Sequence, residues 1–424
     1  MKKVNSILKE VLKRIEPPEE DLKLIDDSVK KIFNGLNKRI KKLKINAETF
    51  VGGSFAKKTV IKKDEYDVDI FIRFDKKYRR QDISKLTGRI IKGMKNISVI
   101  HGSRDYFRIK FAKDFFIEIV PVLKINKPEE AENITDLSYS HVNYIKKKIK
   151  SEKILDEIRI AKAFCFANKC YGAESYINGF SGYGLELLIY YYGSFLKFLK
   201  ELIKVKERKI IDIERHFKRK KNILLDLNAA KLTSPIILID PTYKQRNALA
   251  ALSQKTFERF QKAAKKFLKK PSIKDFELKK TDLEKIEKSA KKKNQEFVLA
   301  EIHTNKQPGD VAGSKLLKFY NYFAKEIGKL FDINKKGFNY NGVQAARFYI
   351  VAKSKKELII TGPNVKDEKS VKNFKKKHKN TFVKSKRIHA REKIKFNLKK
   401  FIDFWKNKNK KRLKEMYITK LNIL

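Results

Sequence analysis

Asp67-Val68-Asp69-Ile70-Phe71-Ile72-Arg73-Phe74 is the stretch on which the reading of the chain turns. Side chains alternate between the two faces of extended backbone, so Val68, Ile70, Ile72 and Phe74 share one face and Asp67, Asp69, Phe71 and Arg73 the other. Phe107, Ile109 and Phe111 alternate with Tyr106, Arg108 and Lys110 in the same way, and the span from Thr49 to Pro121 predicts a sheet. Upstream the apolar spacing is helical. Val4, Ile7, Leu8, Val11, Leu12 and Ile15 mark one helix that Pro17 and Pro18 stop, and Leu22, Ile25, Val29, Ile32, Phe33, Leu36, Ile40 and Leu43 mark a second. Helices packed on a sheet make this region α+β.

Downstream of about Ser138 the pattern turns helical again. Leu185, Leu188, Ile189, Tyr192, Phe195, Leu196 and Leu199 predict one amphipathic helix in a region that runs to about Leu268. Lys269 to Lys293 is Lys-rich and reads as a linker or an exposed helix. Beyond it, Phe297 to Ile302 and Arg347 to Ala352 read as strands, and Leu316 to Leu330 and Lys366 to His378 as helices. The expected organisation is therefore an α+β domain over 1–137, a helical domain over 138–268 and a basic α+β domain over 269–424.

The chain has 424 residues, 102 Lys+Arg against 49 Asp+Glu, and a net charge of +53. Hydrophobic residues make up 42%, enough for sizeable cores, which argues against wholesale disorder. A charge of this size calls for a polyanionic partner such as RNA, DNA or anionic lipid. An A/T-rich genome that inflates Lys throughout is the competing explanation. The start, MKKVNSILKEVLKRIEPP, is charged every few residues, so no export signal is expected. The apolar region from Gly182 to Leu196 contains Glu186 and is followed by Lys197, too short and too charged to span a membrane. Cys165 and Cys170 are too few for a disulfide scaffold or a four-thiolate zinc site, and a reducing cytoplasm is the expectation.

Three segments invite a phosphate-loop reading. Gly309 to Lys315 has three residues rather than four between its glycines, and Gly337 to Val343 lacks the Lys, so both are read as turns. Gly52-Gly53-Ser54 is the stronger candidate. It follows an extended segment and precedes FAKKTV, read as a short helix, so that glycine backbone, the Ser hydroxyl and a helix N-terminus face one anion. Thirteen residues after Ser54 come Asp67 and Asp69, whose carboxylates project together and repel unless cations lie between them. Phe115-Phe116-Ile117-Glu118-Ile119-Val120-Pro121 is an apolar strand with one charge at its middle, and a positive group is expected opposite Glu118. Three carboxylates on neighbouring strands behind a Gly-Gly-Ser turn fit two-metal catalysis, with Mg²⁺ ions bridging α-phosphate, attacking hydroxyl and triphosphate.

At this point the sequence resembles the DNA polymerase β-type nucleotidyltransferases, and within them the archaeal (class I) CCA-adding enzymes, which are tRNA nucleotidyltransferases. The matching segments are VGGSFAKKTV, EYDVDIFIRF, FFIEIVPVLKI, KCYGAESYINGFSGYGLELLIYYYGSF, IDPTYKQRNALAALS and TGPNVKDEKSVKNFKKKHKNT. The resemblance implies a polymerase β-like catalytic domain, a helical middle domain and a C-terminal α+β domain. It implies Asp67, Asp69 and Glu118 as catalytic metal ligands, and Ser54 and Lys57 at the triphosphate. It implies His141, Lys162 and Tyr171 as nucleotide contacts, and Arg246 as the arginine that helps read the base. It further implies CTP and ATP as substrates, the tRNA acceptor stem as partner, Mg²⁺ as cofactor and a homodimer.

The sequence departs from the family at two positions, with Glu118 for Asp and Lys57 for Arg. The longer carboxylate alters metal geometry, and the lysine lacks the planar fork that suits phosphate. For several residues the sequence alone leaves a second reading open. His141 also reads as a surface histidine, Tyr171 as packing at a helix end, Lys162 as a solvated helix face, and Arg246 as a cap or a partner of Asp240. For the whole chain the rival functions are a poly(A) polymerase or oligoadenylate synthetase on the same scaffold, or a tRNA-binding protein with a dead site.

Overall fold

The alternating stretch from Asp67 to Phe74 lies inside a five-stranded mixed sheet in the computed structural model, which describes residues 2–424 apart from 63–64, 113–114, 219 and 395–396. By packing, the chain forms two units, Met1–Lys279 and Lys280–Leu424.

The first unit begins with helices α1 (Lys2–Ile15) and α2 (Glu19–Lys42), followed by β1 (Ala47–Val51), the single turn α3 (Gly53–Ala56) and β2 (Tyr66–Phe74). Helix α4 (Ile83–Ile90) leads to β3 (Ile97–Ile100), β4 (Tyr106–Ala112) and β5 (Phe115–Leu123). The strand order is β1-β2-β5-β4-β3, with β2 and β5 parallel and the other neighbours antiparallel. Alternation puts Val68, Ile70, Ile72, Ile117 and Ile119 into a core with Ile25, Val29 and Leu36 of α2. The opposite face of β2 and β5 is left to Asp67, Asp69 and Glu118.

Helices α5 (Ser138–Lys148), α6 (Glu152–Ala167), α7 (Gly182–Tyr192) and α8 (Phe195–Leu202) follow. Next come β6 (Lys209–Asp212), α9 (Lys220–Asp226), β7 (Ile236–Asp240), β8 (Tyr243–Asn247) and α10 (Gln254–Lys269). The three strands form a small sheet in the order β6-β7-β8. Helix α6 is the hub of this part, with nine buried positions from Leu155 to Ala167. Phe164 packs edge-on against Phe195, Phe260, Phe267 and Phe276. Burial of each such ring contributes about 1.5–3 kcal/mol.

The second unit opens with α11 (Leu283–Lys292), β9 (Glu296–Thr304), α12 (Asp310–Leu330), β10 (Phe331–Tyr340) and β11 (Ala345–Ser354). It continues with β12 (Glu357–Asn364), α13 (Glu368–Lys377), β13 (Thr381–Lys384), β14 (Arg387–Lys393), α14 (Leu398–Lys408), α15 (Lys410–Glu415) and β15 (Ile418–Ile423). A four-stranded sheet, β10-β11-β9-β15, packs on α12 and α14 through Phe319, Phe323, Phe348 and Trp405, and β12-β14-β13 form a second sheet beside α13.

Three local expectations are corrected. The helix expected over FAKKTV starts earlier, at Gly53, and ends at Ala56, because Lys58 turns left-handed at φ 55° and breaks it. The apolar run read as one helix from Leu185 to Leu199 is two. Gly193 closes α7 at φ 75°, and Ser194 caps α8 by accepting a hydrogen bond from the Lys197 amide at 3.3 Å. Gly309 to Lys315, read as a turn, is the entry to α12, with Gly309 at φ 89° turning the chain into the helix.

If the left-handed cap separates α7 from α8, Gly193→Ala should lower stability by about 1 kcal/mol, the cost of holding an L side chain in that conformation. The measure is a lower urea midpoint at unchanged slope. An unchanged midpoint would show that Ser194 alone ends the helix.

Candidate active site

Strand β2 presents Asp67, exposed, and Asp69, half-buried, on the face turned away from the core. Parallel pairing sets Glu118 of β5 directly beside Asp69, so the three carboxylates share one side of the sheet. The positive group expected opposite Glu118 is Arg108, its register partner on β4. Nε and Nη2 of Arg108 both donate to Glu118 Oε1, at 2.9 and 2.6 Å. Burial pushes the Glu118 carboxyl above its ordinary range, the arginine opposes that shift, and the Asp67 charge adds to it. Among the described residues no three of His, Cys, Asp or Glu are gathered so as to hold an ion together.

The Gly-Gly-Ser turn abuts this face. The Gly52 amide donates to the Asp69 carbonyl at 2.8 Å, extending the β1–β2 ladder. Gly53 sits at φ 61°, and a Cβ there would collide with Asp69 Oδ2, so only glycine lets the backbone come this close. Ser54, Thr59, Asp67, Lys162 and Tyr171 line one small cavity beside the turn. Asp67, Asp69 and Glu118 offer on one face the hard oxygen donors that a divalent cation takes, and as they stand they are not drawn together around a single point.

Behind the turn lies a buried ionic cluster that centres on Glu186 of α7, a residue whose charge in the sequence served only to exclude a membrane span. Glu186 is fully buried. Its Oε2 accepts from Lys57 Nζ at 2.7 Å, and its Oε1 from Lys162 Nζ at 2.8 Å and Thr59 Oγ1 at 3.0 Å. Lys162 also donates to Thr59 Oγ1 at 2.6 Å. Burial disfavours the Glu186 anion, but the two ammonium groups outweigh it and bring the carboxyl down to about 2. Lys162 is thus not on a solvated face; its side chain is 3% exposed. The signal for Glu186 was the one that singled out Glu118, a lone charge in an apolar run.

His141 and Arg246 meet at a second buried anion, Asp240. Its Oδ2 pairs with His141 Nε2 at 2.9 Å and Arg246 Nη1 at 2.6 Å, while Oδ1 accepts from the Tyr183 hydroxyl at 3.1 Å and from the Thr242 amide and hydroxyl, each at 2.8 Å. The pairing of Arg246 with Asp240, one of its two sequence readings, is the observed one. The His141 ring stacks on Tyr183 with centroids 4.1 Å apart. Burial lowers the His141 pKa against the pull of Asp240, so the ring tends to neutrality. Tyr171 is partly buried beside Glu186 and Asp67, and burial together with those charges raises its phenol.

A glycine turn delivered onto a parallel strand pair that carries the carboxylates is the build of the polymerase β-like nucleotidyltransferases, and the chain has that fold. A solved cytoplasmic RNA terminal U-transferase shares it, with a TM-score of 0.51 and 12% identity over 66% of this chain and 100% of that one. Residues 1–151 match the second messenger oligonucleotide or dinucleotide synthetase domain, and residues 156–277 match the tRNA nucleotidyltransferase second domain. A CCA-adding enzyme of Nanoarchaeum equitans is 44% identical over 212 residues, 50% of this chain and 52% of that protein, so this match spans about half of that relative's length. Another, of Methanocaldococcus jannaschii, is 28% identical over 402 residues, 91% of this chain and 87% of that protein. The chain is thus similar to CCA-adding enzymes over nearly its whole length, and to the tRNA nucleotidyltransferase second domain over residues 156–277.

The Glu186 cluster has a pH signature. Its folded pKa of about 2 lies below the ordinary 4.5, so between those values the unfolded chain binds the proton more readily. The stabilisation is complete above about pH 4.5 and is lost as pH falls toward 2. Glu186→Gln should cost about 3 kcal/mol at neutral pH, as when one partner of a buried ion pair is removed. It should also lose less stability than the parent between pH 5 and 3 in urea titrations. An identical acid slope would show that Glu186 is not ionised in the fold.

Proposed function

We propose that this protein adds C, C and A to the 3′ end of tRNA without a template, using CTP and ATP and releasing pyrophosphate. The observation that carries this reading is the placement of Asp67 and Asp69 on one sheet face against Gly53, with Ser54, Lys162 and Tyr171 around the adjoining cavity. The terminal tRNA hydroxyl would attack the α-phosphate in line.

Enzymes of this fold use divalent metal ions. Asp67, Asp69 and Glu118 would hold them here, with Mg²⁺ the ion that an all-carboxylate set suits, supplying neutralisation of phosphate charge and a lower hydroxyl pKa. The chain's own groups do the positioning. Ser54 and the backbone at Gly53 would take the triphosphate. Lys57 and Lys162 share one carboxylate, so their cluster carries a surplus positive charge, which favours a polyanion beside it. Tyr171, on the edge of that small cavity, would contact the nucleotide.

Base choice needs an acceptor for the exocyclic amino group that C and A share and a donor for the adjacent ring nitrogen. Arg246 has donors only. Asp240 already draws it toward His141, and this would fix the angle at which it offers a nitrogen to the base. RNA phosphates or backbone carbonyls would supply the acceptor. The acceptor stem would be held through its phosphates, which duplex RNA offers more readily than base edges. The row Lys375, Lys376 and Lys377 in the last turn of α13 suits that task. We further place the enzyme in the cytoplasm, as a homodimer. No helix of the described residues is long and apolar enough to cross a membrane.

The deciding experiment offers CTP and ATP singly to tRNAs that end before, within and after CCA. Addition that stops at CCA supports the reading; long homopolymer tails would make the chain a poly(A)-type polymerase. Asp67→Ala or Asp69→Ala should each slow incorporation by about a thousandfold, the scale of losing one electrostatic stabiliser of the transition state, with tRNA affinity unchanged. Near-normal rates in either variant would refute the carboxylate assignment. For the basic surface, log affinity for tRNA should fall linearly with log salt. Replacing Lys375, Lys376 and Lys377 by Ala should flatten that line by about one unit of slope for each phosphate no longer neutralised. An unchanged slope would take α13 out of the RNA interface.

A further inference from the structure

We propose that Arg108 is a built-in counter-cation for Glu118, and that a divalent ion binds the carboxylate face by displacing this guanidinium. The proposal rests on the reading of Asp67, Asp69 and Glu118 as ion ligands, and it makes Arg108 a positioning residue that acts through Glu118.

Arg108 does not meet Glu118 as one flexible surface side chain meets another. The two are register partners on adjacent antiparallel strands, held opposite each other by the sheet. Two N–H groups of the guanidinium converge on the single oxygen Oε1, a concentration of positive charge on one atom that resembles what an ion would bring. The carboxylate they serve is 14% exposed and lies in register with Asp69, on the same face as Asp67. In such a place an uncompensated anion is costly, so the face needs a positive charge whether or not an ion is bound.

The arginine has a route away that the glutamate lacks. Its side chain is 39% exposed, and its guanidinium lies over the Phe116 ring at 5.2 Å, a surface along which it can slide toward water while still resting on the ring. Glu118, on a central strand, stays. The extra methylene that distinguishes Glu118 from the aspartate usual in the family extends the carboxylate outward from β5, where it is within reach of Arg108. The two N–H donors already take both lone pairs of Oε1, and the guanidinium charge beside the carboxylate repels an incoming cation, so arginine and ion compete for Glu118, and the competition sets how much ion is needed to fill the site.

Binding of Mn²⁺, followed by electron paramagnetic resonance of the free ion in the absence of nucleotide and RNA, tests this. Arg108→Gln should lower the half-saturating Mn²⁺ by about tenfold, within the usual span of coupling between two ligands of one site. Arg108→Lys, which retains a charge but only one point of contact, should fall between. Arg108→Gln should also melt at lower temperature than the parent without ion and gain more from Mn²⁺, because an ion that binds the folded state more tightly stabilises it more. A purely structural arginine would lower the melting temperature and leave both the Mn²⁺ affinity and the Mn²⁺-dependent gain unchanged, and that result would overturn the proposal. Asp69→Asn separates the two ideas. If it leaves Mn²⁺ binding intact, the ion-ligand reading of this face fails; if it abolishes binding while Arg108→Gln has no effect, only the displacement fails.

Discussion

Two lysines and one glutamate, all withdrawn from water, join the turn that follows the sheet's first strand to the helical half of the first unit. Lys57 and Thr59 come from the segment after the Gly-Gly-Ser turn, Lys162 from α6 and Glu186 from α7. Hydrophobic packing alone would let these pieces slide. A buried carboxylate with three directional partners does not, because any shift leaves an ion unpaired in a medium that cannot solvate it. The position of the glycine turn over Asp69, and with it the shape of the candidate active site, depends on that cluster.

The same logic recurs twice more, each time with a different ratio of charges. Glu118 has one arginine, and Asp240 has His141, Arg246, a tyrosine, a threonine hydroxyl and a backbone amide. Asp240 is held well below the ordinary carboxylate range against the cost of burial, and Glu118 is raised above it because one arginine does not offset desolvation. The anion with most partners organises its neighbours, and the anion with fewest is the one poised to change partner. Strongly shifted groups collected around one cavity and one sheet face are characteristic of functional sites.

The carboxylate face was legible because period-two alternation leaves little choice about where Asp67, Asp69 and Glu118 point once the strands are recognised. The break at Gly193 was not read from the apolar pattern, because spacing of Leu185, Leu188, Ile189 and Phe195 runs on across it while the backbone does not. Lys162 defeated the pattern in another way. Helix α6 is covered nearly all round, so helical periodicity gives no polar face on which to place a lysine, and only its neighbours reveal whether it is wet.

By itself the sequence determined the alternation that builds the sheet, the glycine turn, the side of the strands that carries charge and the basic character of the whole, because these follow from local backbone geometry and composition. The tertiary structure decided which charges meet. That Lys57 and Lys162 share Glu186, that His141 reaches Asp240, and that Arg108 stands against Glu118 depend on segments 10 to 129 residues apart coming together. Only Arg246 and Asp240, six residues apart, are near neighbours in the chain. An ion pair is chosen by proximity in a shared low-dielectric space, and that space exists only after the helices and the sheet have closed around it.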